Sequence, residues 1–266
     1  MSFQRLLDYV EREIGFATSY YNDAYLDRRI SARMRRTDCD DYAEYRERLR
    51  ADPDEPALLL DSLNVNVTGF FRNPETWSAV VPILRALTEE RQRATLWSVP
   101  CADGREPYTL SMLALDDADV AASRLSILAS DIDPNALASA RDGVYHTTRT
   151  TDIAAELDPL STAGEYVTRE GDEFRVTDRV QSLVEFSQHD LIQDRPPGEF
   201  DMVVCRNLFI YIDAQYKRPI FETLDEALRP GGYLVIGRTE TVHRDFKETF
   251  ESVDSERRIY RKAPAE

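Results

Sequence analysis

Apolar positions in the first part of the chain recur with helical spacing. Leu6, Leu7, Val10 and Ile14 form one such set, and Tyr25, Leu26, Ile30 and Met34 form a second. Tyr42, Tyr45 and Leu49 continue the pattern, and Pro53 and Pro56 punctuate it before the run Leu58–Leu63. Nothing in this stretch alternates as a half-buried strand does. The pattern predicts an all-helical N-terminal domain over residues 1–70, with the change of rhythm falling between Asn64 and Trp77.

From Thr95 onward, short apolar runs alternate with amphipathic stretches. Thr95–Val99, Leu125–Ser130, Leu183–Ser187, Asp201–Cys205 and Tyr233–Gly237 read as strands. Glu106–Leu115, Pro134–Arg141 and Ala214–Leu228 read as helices. Strands separated by helices predict an α/β domain over residues 71–266, a doubly wound, mostly parallel sheet. Such sheets bind ligands beyond the C-terminal ends of their strands, so the residues that follow each run are the candidates for chemistry. One stretch breaks the alternation: Glu165–Glu170 and Glu173–Thr177 flank Gly171-Asp172, a pair suited to a tight antiparallel turn. It predicts a small antiparallel β subdomain inserted at about 145–180. The insertion reads either as a stabilising surface feature or as an edge that docks a partner peptide.

Composition narrows the function classes. With 42% hydrophobic and 31% charged residues the chain is globular rather than disordered. No apolar run approaches the roughly 18 residues of a membrane span. The start, Met1-Ser2-Phe3-Gln4-Arg5-Leu6, lacks the basic region and apolar core of a signal peptide, which predicts a cytoplasmic protein. A net charge of -16 argues against wholesale binding to nucleic acid or an anionic membrane. Only Lys217, Lys247 and Lys262 are lysines among 33 basic residues, so the acidic surface also suits a salt-rich cytoplasm. Cys39, Cys101 and Cys205 are odd in number and form no CxxC pair, and His146, His189 and His243 have no ligand spacing. No metal site is predicted, and the histidines read as surface or loop residues.

Four segments follow predicted strands with residues that packing does not call for. Val99-Pro100-Cys101-Ala102-Asp103-Gly104-Arg105-Glu106-Pro107-Tyr108 runs from a strand into a helix, where nucleotide-like ligands sit. Only Gly104 serves there as a glycine that lets backbone approach a ligand, and on spacing alone an ordinary turn fits as well. In Ser130-Asp131-Ile132-Asp133-Pro134, Asp131 can accept from both hydroxyls of a ribose, while Asp133 caps the helix at Pro134. His189-Asp190-Leu191 suits either an adenine contact or an acidic turn. Cys205-Arg206-Asn207 places an arginine and an asparagine directly after a buried strand, aimed into the cleft by the switch-point argument. Further on, Leu228-Arg229-Pro230-Gly231-Gly232-Tyr233 reads as helix, tight turn and strand.

Together these segments resemble one family. Asn66-Val67-Thr68-Gly69-Phe70-Phe71-Arg72 is similar to the N-x-T-x-F-F-R signature of the chemotaxis receptor methyltransferases, the CheR family. Cys101–Tyr108 resembles that family's C-S-T-G-E-E-P-Y loop, and Ala129–Asp133 its A-S-D-I-D. Phe200-Asp201 with Cys205-Arg206-Asn207 and Tyr211 resembles F-D-x-x-x-C-R-N-x-x-x-Y. Ala102, Asp103 and Arg105 depart from the pattern, replacing serine, threonine and the first glutamate, and Asp190 stands where many relatives have asparagine.

The resemblance implies a class I S-adenosyl-L-methionine-dependent methyltransferase fold, with S-adenosyl-L-homocysteine as product and no metal. It implies that Asn66, Thr68, Arg72, Glu106, Asp131, Asp190, Leu191, Arg206 and Asn207 line the cofactor. Glu106 would face its ammonium, Asp131 its ribose, and Arg72 and Tyr211 its methyl group. The bland readings are a surface ion pair for Arg72 and a half-buried aromatic for Tyr211. The implied reaction is esterification of glutamate side chains on methyl-accepting chemotaxis receptors. Arg29, Arg33 and Arg36 fall on one face of a predicted helix and would dock the receptor's cytoplasmic helices; a solvated face paired with Asp23 and Asp27 is the alternative. Some relatives bind a receptor C-terminal peptide at the β subdomain. A monomer is expected, since no apolar stripe is left over. Two other functions remain open: a non-catalytic module that senses the cofactor, and a methyltransferase of this fold with another substrate.

Overall fold

A computed structural model of the protein describes residues 1–63 and 68–264; Asn66 lies outside them. The chain divides into two compact units, Met1–Asn66 with Phe209–Lys217, and Val67–Leu208 with Arg218–Glu266.

The first unit is helical: α1 Phe3–Tyr9, α2 Asp23–Arg36, α3 Tyr42–Ala51 and α4 Glu55–Leu63. The apolar set at Leu6, Leu7 and Val10 is buried as its spacing predicts, but α1 passes into a π-helical turn, Val10–Ile14, that Gly15 ends at φ 80°. Asn22 starts α2 by accepting from the Tyr25 N–H at 2.9 Å, and Asp41 starts α3 by accepting from the Ala43 and Glu44 N–H groups. Leu26, Ile30, Tyr45, Leu59 and Leu63 form the core. Glu55 is buried in it, accepting from the Tyr45 hydroxyl at 2.7 Å and from Arg33 Nε at 3.0 Å.

The second unit begins with α5 Pro74–Glu90, then β1 Ala94–Ser98, α6 Arg105–Asp116, β2 Leu125–Asp131 and α7 Pro134–Asp142. There follow β3 Val144–His146, α8 Ile153–Glu156, β4 Val167–Glu170, β5 Glu173–Val176, α9 Asp178–Gln181, β6 Val184–Gln188 and β7 Phe200–Cys205. Helix α10, Ala214–Ala227, leads to β8 Leu228–Ile236, β9 Phe250–Asp254 and β10 Ile259–Lys262. The main sheet has the order β6-β2-β1-β7-β8-β10-β9. Its first five strands are parallel, and β10 and β9 add an antiparallel edge that apolar periodicity alone did not announce. The turn pair Gly171-Asp172 closes the β4–β5 hairpin, with Gly171 at φ 62°, and β3 pairs with β5 as a third strand of the small sheet.

The strand order fixes where a ligand belongs. From β1 the chain moves outward to β2 and β6, then returns to place β7 on the other side of β1 and continues to β8. The reversal lies between β1 and β7, and right-handed crossovers in opposite directions put helices on opposite faces there. The crevice therefore opens beyond Ser98 and Cys205. At the other end of β7, Asp201 is buried, accepts from the Thr95 N–H at 2.9 Å and pairs with Arg229 at 2.9 Å. That part of the Phe200–Tyr211 motif anchors the sheet rather than a ligand.

Candidate functional site

Each strand bordering the switch point delivers polar groups at its C-terminal end. After β1 the loop turns back so that the Cys101 N–H donates to the Ser130 carbonyl at 2.9 Å. Ala102 has φ 47° and Gly104 φ 88°, the left-handed region, and the Gly104 N–H closes the turn onto Cys101. A Cβ at Gly104 would meet the Ala140 Cβ at 2.9 Å, so this glycine serves helix packing as well as backbone conformation. Burial, with Asp131 and Glu106 nearby, raises the Cys101 thiol well above its ordinary pKa, which favours the neutral thiol.

After β2, Asp131 is 8% exposed. One carboxylate oxygen accepts from the Ala102 N–H at 2.8 Å and the other from the Asp133 N–H at 3.0 Å. Burial raises its pKa, and those N–H groups pull it back. Asp133 caps α7 through the Asn135 N–H at 2.9 Å, the division of labour its spacing suggested. After β6, Asp190 Oδ1 accepts from the Ile192 and Gln193 N–H groups at 2.8 and 3.1 Å, so one of its oxygens holds its own turn. Leu191 is buried beside it.

His189 lies in the loop after β6, as expected of a surface or loop residue, but it is buried there. Its ring packs edge-on against Trp97 at 5.3 Å, its backbone N–H donates to the Asp131 carbonyl at 3.0 Å, and its Nε2 is buried without a partner among the described residues. Burial lowers its pKa, so the ring is neutral near pH 7.

The densest cluster lies between β1, β7 and the segment before α5. Glu106, on the first turn of α6, accepts from the Ser98 hydroxyl at 2.9 Å and pairs with Arg206 at 3.4 Å. Burial raises its pKa; Arg206, Ser98 and the charge of Arg72 act in the opposite direction. The Arg206 side chain is 1% exposed. It donates from Nη2 to the Arg72 carbonyl and to Asn73 Oδ1, both at 2.9 Å, and its guanidinium stacks over Trp77 at 4.8 Å. Trp77 Nε1 donates to the same Arg72 carbonyl at 3.0 Å. Burial lowers the Arg206 pKa, yet a guanidinium stays charged, and its Nε is buried without a partner among the described residues. Arg72 is half-buried, with its charge felt at both Glu106 and Arg206. Thr68 is half-buried in the same segment, and Asn207 stands at φ 60° with its N–H donating to buried Glu240 at 2.9 Å.

Of the residues singled out from sequence, Arg72, Glu106 and Arg206 form one electrostatic cluster, and Asp131 borders the loop that Glu106 follows. Asn66 falls outside the described residues. Tyr211 belongs to the helical unit, where its carbonyl accepts from the Asn22 N–H at 2.9 Å and its ring lies 4.9 Å from Tyr25. In that unit Arg33 turns to Glu55, a partner that its sequence neighbours Asp23 and Asp27 did not suggest: the Arg33 side chain is 11% exposed, whereas Arg36 is exposed and Arg29 half-buried, stacked over Tyr25 at 5.4 Å. Sequence reasoning missed Trp77, Asn73, Glu240 and Glu156, which act on site residues through long-range contacts that no local motif marks. Among the described residues no group of three or more His, Cys, Asp or Glu is arranged to hold a metal ion.

The donor set fits S-adenosylmethionine. Glu106, half-buried and with its pKa still raised despite Arg206, is a carboxylate suited to a second cation, and the Arg206 Nε, without a partner among the described residues, suits an anion. Asp131 supplies a buried acceptor beyond β2, the place of an adenosine ribose in doubly wound sheets. Fold and site thus define a cofactor-dependent transferase of the doubly wound class.

Comparison with known proteins gives the family. Residues 66–259 match the CheR methyltransferase, SAM binding domain, and residues 1–63 the CheR methyltransferase, all-alpha domain. The chain is 31% identical over 243 residues to a chemotaxis protein methyltransferase of Listeria monocytogenes, covering 88% of this chain and 87% of that protein. It is 28% identical to chemotaxis protein methyltransferase 2 of Pseudomonas aeruginosa, covering 90% of this chain and 85% of that one. The chemotaxis protein methyltransferase of Salmonella typhimurium is also 28% identical, over 90% of this chain and 83% of its own length. The protein belongs to the CheR methyltransferase family and is an S-adenosylmethionine-dependent methyltransferase of chemotaxis.

Proposed function

We propose that the protein esterifies glutamate side chains on the cytoplasmic helical domain of methyl-accepting chemotaxis receptors, working as a cytoplasmic monomer. The observation that carries this reading is the Glu106–Arg206–Arg72 cluster: a carboxylate for a cofactor's cation, beside an arginine whose backbone is clamped and whose side chain is half-exposed. No helix among the described residues is long and apolar enough to cross a membrane.

The chemistry asks little of the protein in proton transfer. S-adenosylmethionine, when bound, supplies an electrophilic methyl group on a sulfonium that leaves as a neutral thioether. A glutamate with pKa about 4.3 is already ionised near neutrality, so no general base has to act on it. Arg72 orients the incoming carboxylate, and Tyr211 donates a hydrogen bond to it. The neutral ester then loses the ionic part of its attraction to Arg72 and departs. Glu106 holds the cofactor's ammonium, Asp131 its ribose hydroxyls, and Thr68, Asn66, Asp190, Leu191, Arg206 and Asn207 complete its walls. Alignment of this kind supplies about 7–11 kcal/mol in favourable models. Arg29 and Arg36 meet acidic receptor helices, and the β3-β5-β4 sheet offers strand edges to a receptor tail peptide.

The test is transfer of labelled methyl from S-adenosylmethionine to receptor cytoplasmic fragments as a base-labile ester. A base-labile label that depends on receptor glutamates supports the reading. Cofactor binding with no transfer to receptor refutes it and selects a sensing module; transfer to a different acceptor selects another substrate.

A further inference from the structure

The loop after β1 departs from the family pattern at Asp103 and Arg105, and the structure joins these two departures to a third residue. The Arg105 side chain is 11% exposed. Its Nε donates to the two Asp103 carboxylate oxygens at 3.2 and 3.1 Å, and its Nη2 lies 2.9 Å from Asp103 Oδ2. Its Nη1 reaches Glu156 Oε2, on α8, at 3.5 Å. That same oxygen accepts the backbone N–H of Phe70 at 2.8 Å. Tyr145 packs around the link: its hydroxyl donates to the Asp103 carbonyl at 2.7 Å and its ring meets Phe70 edge-on at 4.9 Å.

The backbone between Phe70 and Asn73 needs such support. Phe71 has φ 49° and Asn73 φ 60°, conformations that persist for non-glycine residues only where the surroundings over-determine them. Glu156 holds the Phe70 N–H, the Thr109 hydroxyl oxygen accepts from the Phe71 N–H at 3.1 Å, and Arg206 holds the Arg72 carbonyl. Thr109 in turn donates to the Arg105 carbonyl at 2.8 Å, so two of these three restraints lead back to Arg105. A Cβ at Gly69 would lie 3.1 Å from Glu156 Oε1, so glycine there permits the close approach of the carboxylate.

We propose that Glu156 and Arg105 are positioning residues for methyl transfer, fixing through the Phe70 N–H the backbone that presents Arg72. The proposal rests on the reading of Arg72 as the group that orients the acceptor carboxylate. The Phe70 bond is charge-assisted, and Arg105 holds the Glu156 carboxylate in the rotamer that makes it. Misplacement of a positioning group by a fraction of an ångström lowers turnover more than it lowers binding of a ligand held elsewhere. Asp103, by pairing with Arg105, makes the departures in the loop mutually compensating.

The experiment measures kcat with receptor fragment, KM for S-adenosylmethionine and thermal unfolding. Glu156→Ala is expected to lower kcat about tenfold, leaving the cofactor KM within about twofold and the unfolding temperature near that of the parent. Glu156→Gln keeps an acceptor for Phe70 and is expected to recover most of the loss. Arg105→Met, which keeps the aliphatic stem and deletes the charge, is expected to lower kcat about threefold; an unchanged kcat removes Arg105 from the proposal. A Glu156→Ala enzyme with parental kcat overturns the proposal, as does a parallel fall in kcat and cofactor affinity that glutamine does not rescue. Arg72→Ala separates the two levels. If it keeps full turnover, the reading of Arg72 fails; if it loses turnover while Glu156→Ala does not, only the positioning role fails.

Discussion

Glu106→Gln isolates one charge in the site with little change of shape. The Ser98 hydroxyl at 2.9 Å can donate to a glutamine oxygen as it does to the carboxylate, so the side chain should keep its place. What disappears is the negative charge facing Arg206 at 3.4 Å and, on the proposed function, the ammonium of the cofactor. A hydrogen bond to a charged group contributes about 1.5–3 kcal/mol, which predicts that S-adenosylhomocysteine binds about 10- to 150-fold more weakly to the variant. Titration calorimetry with the product measures this without turnover. The pH dependence supplies a second readout with a definite sign. Burial raises the Glu106 pKa, so the cofactor-free protein takes up a proton there at a higher pH than an exposed glutamate does. A cationic ligand favours the ionised form, so affinity is full above the raised pKa and falls as pH drops through it, with proton release on binding in that window. The glutamine variant should lose this slope. Product affinity within about twofold of the parent, or an unchanged acid slope, refutes the pairing of Glu106 with the cofactor.

Other outcomes follow from single contacts. Arg33→Ala leaves Glu55, with a side chain 2% exposed, as an uncompensated buried charge and is expected to destabilise the protein by about 3 kcal/mol in urea unfolding, whereas Arg36→Ala should be near neutral. Gly104→Ala sets a Cβ against Ala140 at a left-handed φ and should cost about 1–3 kcal/mol; Ala140→Gly in the same protein should relieve only the contact share. His189 has a lowered pKa in the folded state, so the unfolded chain binds the extra proton between that pKa and about 6.5, and thermal stability falls as pH drops through this window. In His189→Gln that acid loss, followed by calorimetry between pH 7 and 5, should shrink.

The fold was legible where its signal is local. The alternation of runs such as Leu125–Ser130 with helices such as Pro134–Arg141 marks a wound sheet, and the observed elements, Leu125–Asp131 and Pro134–Asp142, differ by one residue at their ends. The edge hairpin of β9 and β10 escaped because Phe250–Asp254 is exposed along most of its length, with only Phe250 buried, so no run of apolar residues marks it. The π-helical turn after α1 escaped for the opposite reason: Val10 obeys the helical period, and the departure lies in backbone pairing. The burial of His189 in its loop escaped because it follows from packing on Trp97, 92 positions away in sequence and two strands across the sheet.

The site divides along the same line. Asp131 and Arg206 could be named because one ends and the other follows a strand that its own neighbours define, and strand ends are where the switch point places ligands, whereas Glu106 was named through the family resemblance of its loop. What holds these groups was not legible. Arg206 is clamped by Trp77 and Asn73, and Phe70 by Glu156, through pairs separated by 129, 133 and 86 positions. Asp103 and Arg105 illustrate the difference most directly. Read locally they are a lost hydroxyl and a reversed charge in a cofactor loop, changes that suggest altered binding. In three dimensions they form an ion pair whose outer nitrogen meets the carboxylate that holds the linker. A reversed charge beside a distant acid is therefore a candidate coupling, and the question it poses concerns turnover before affinity.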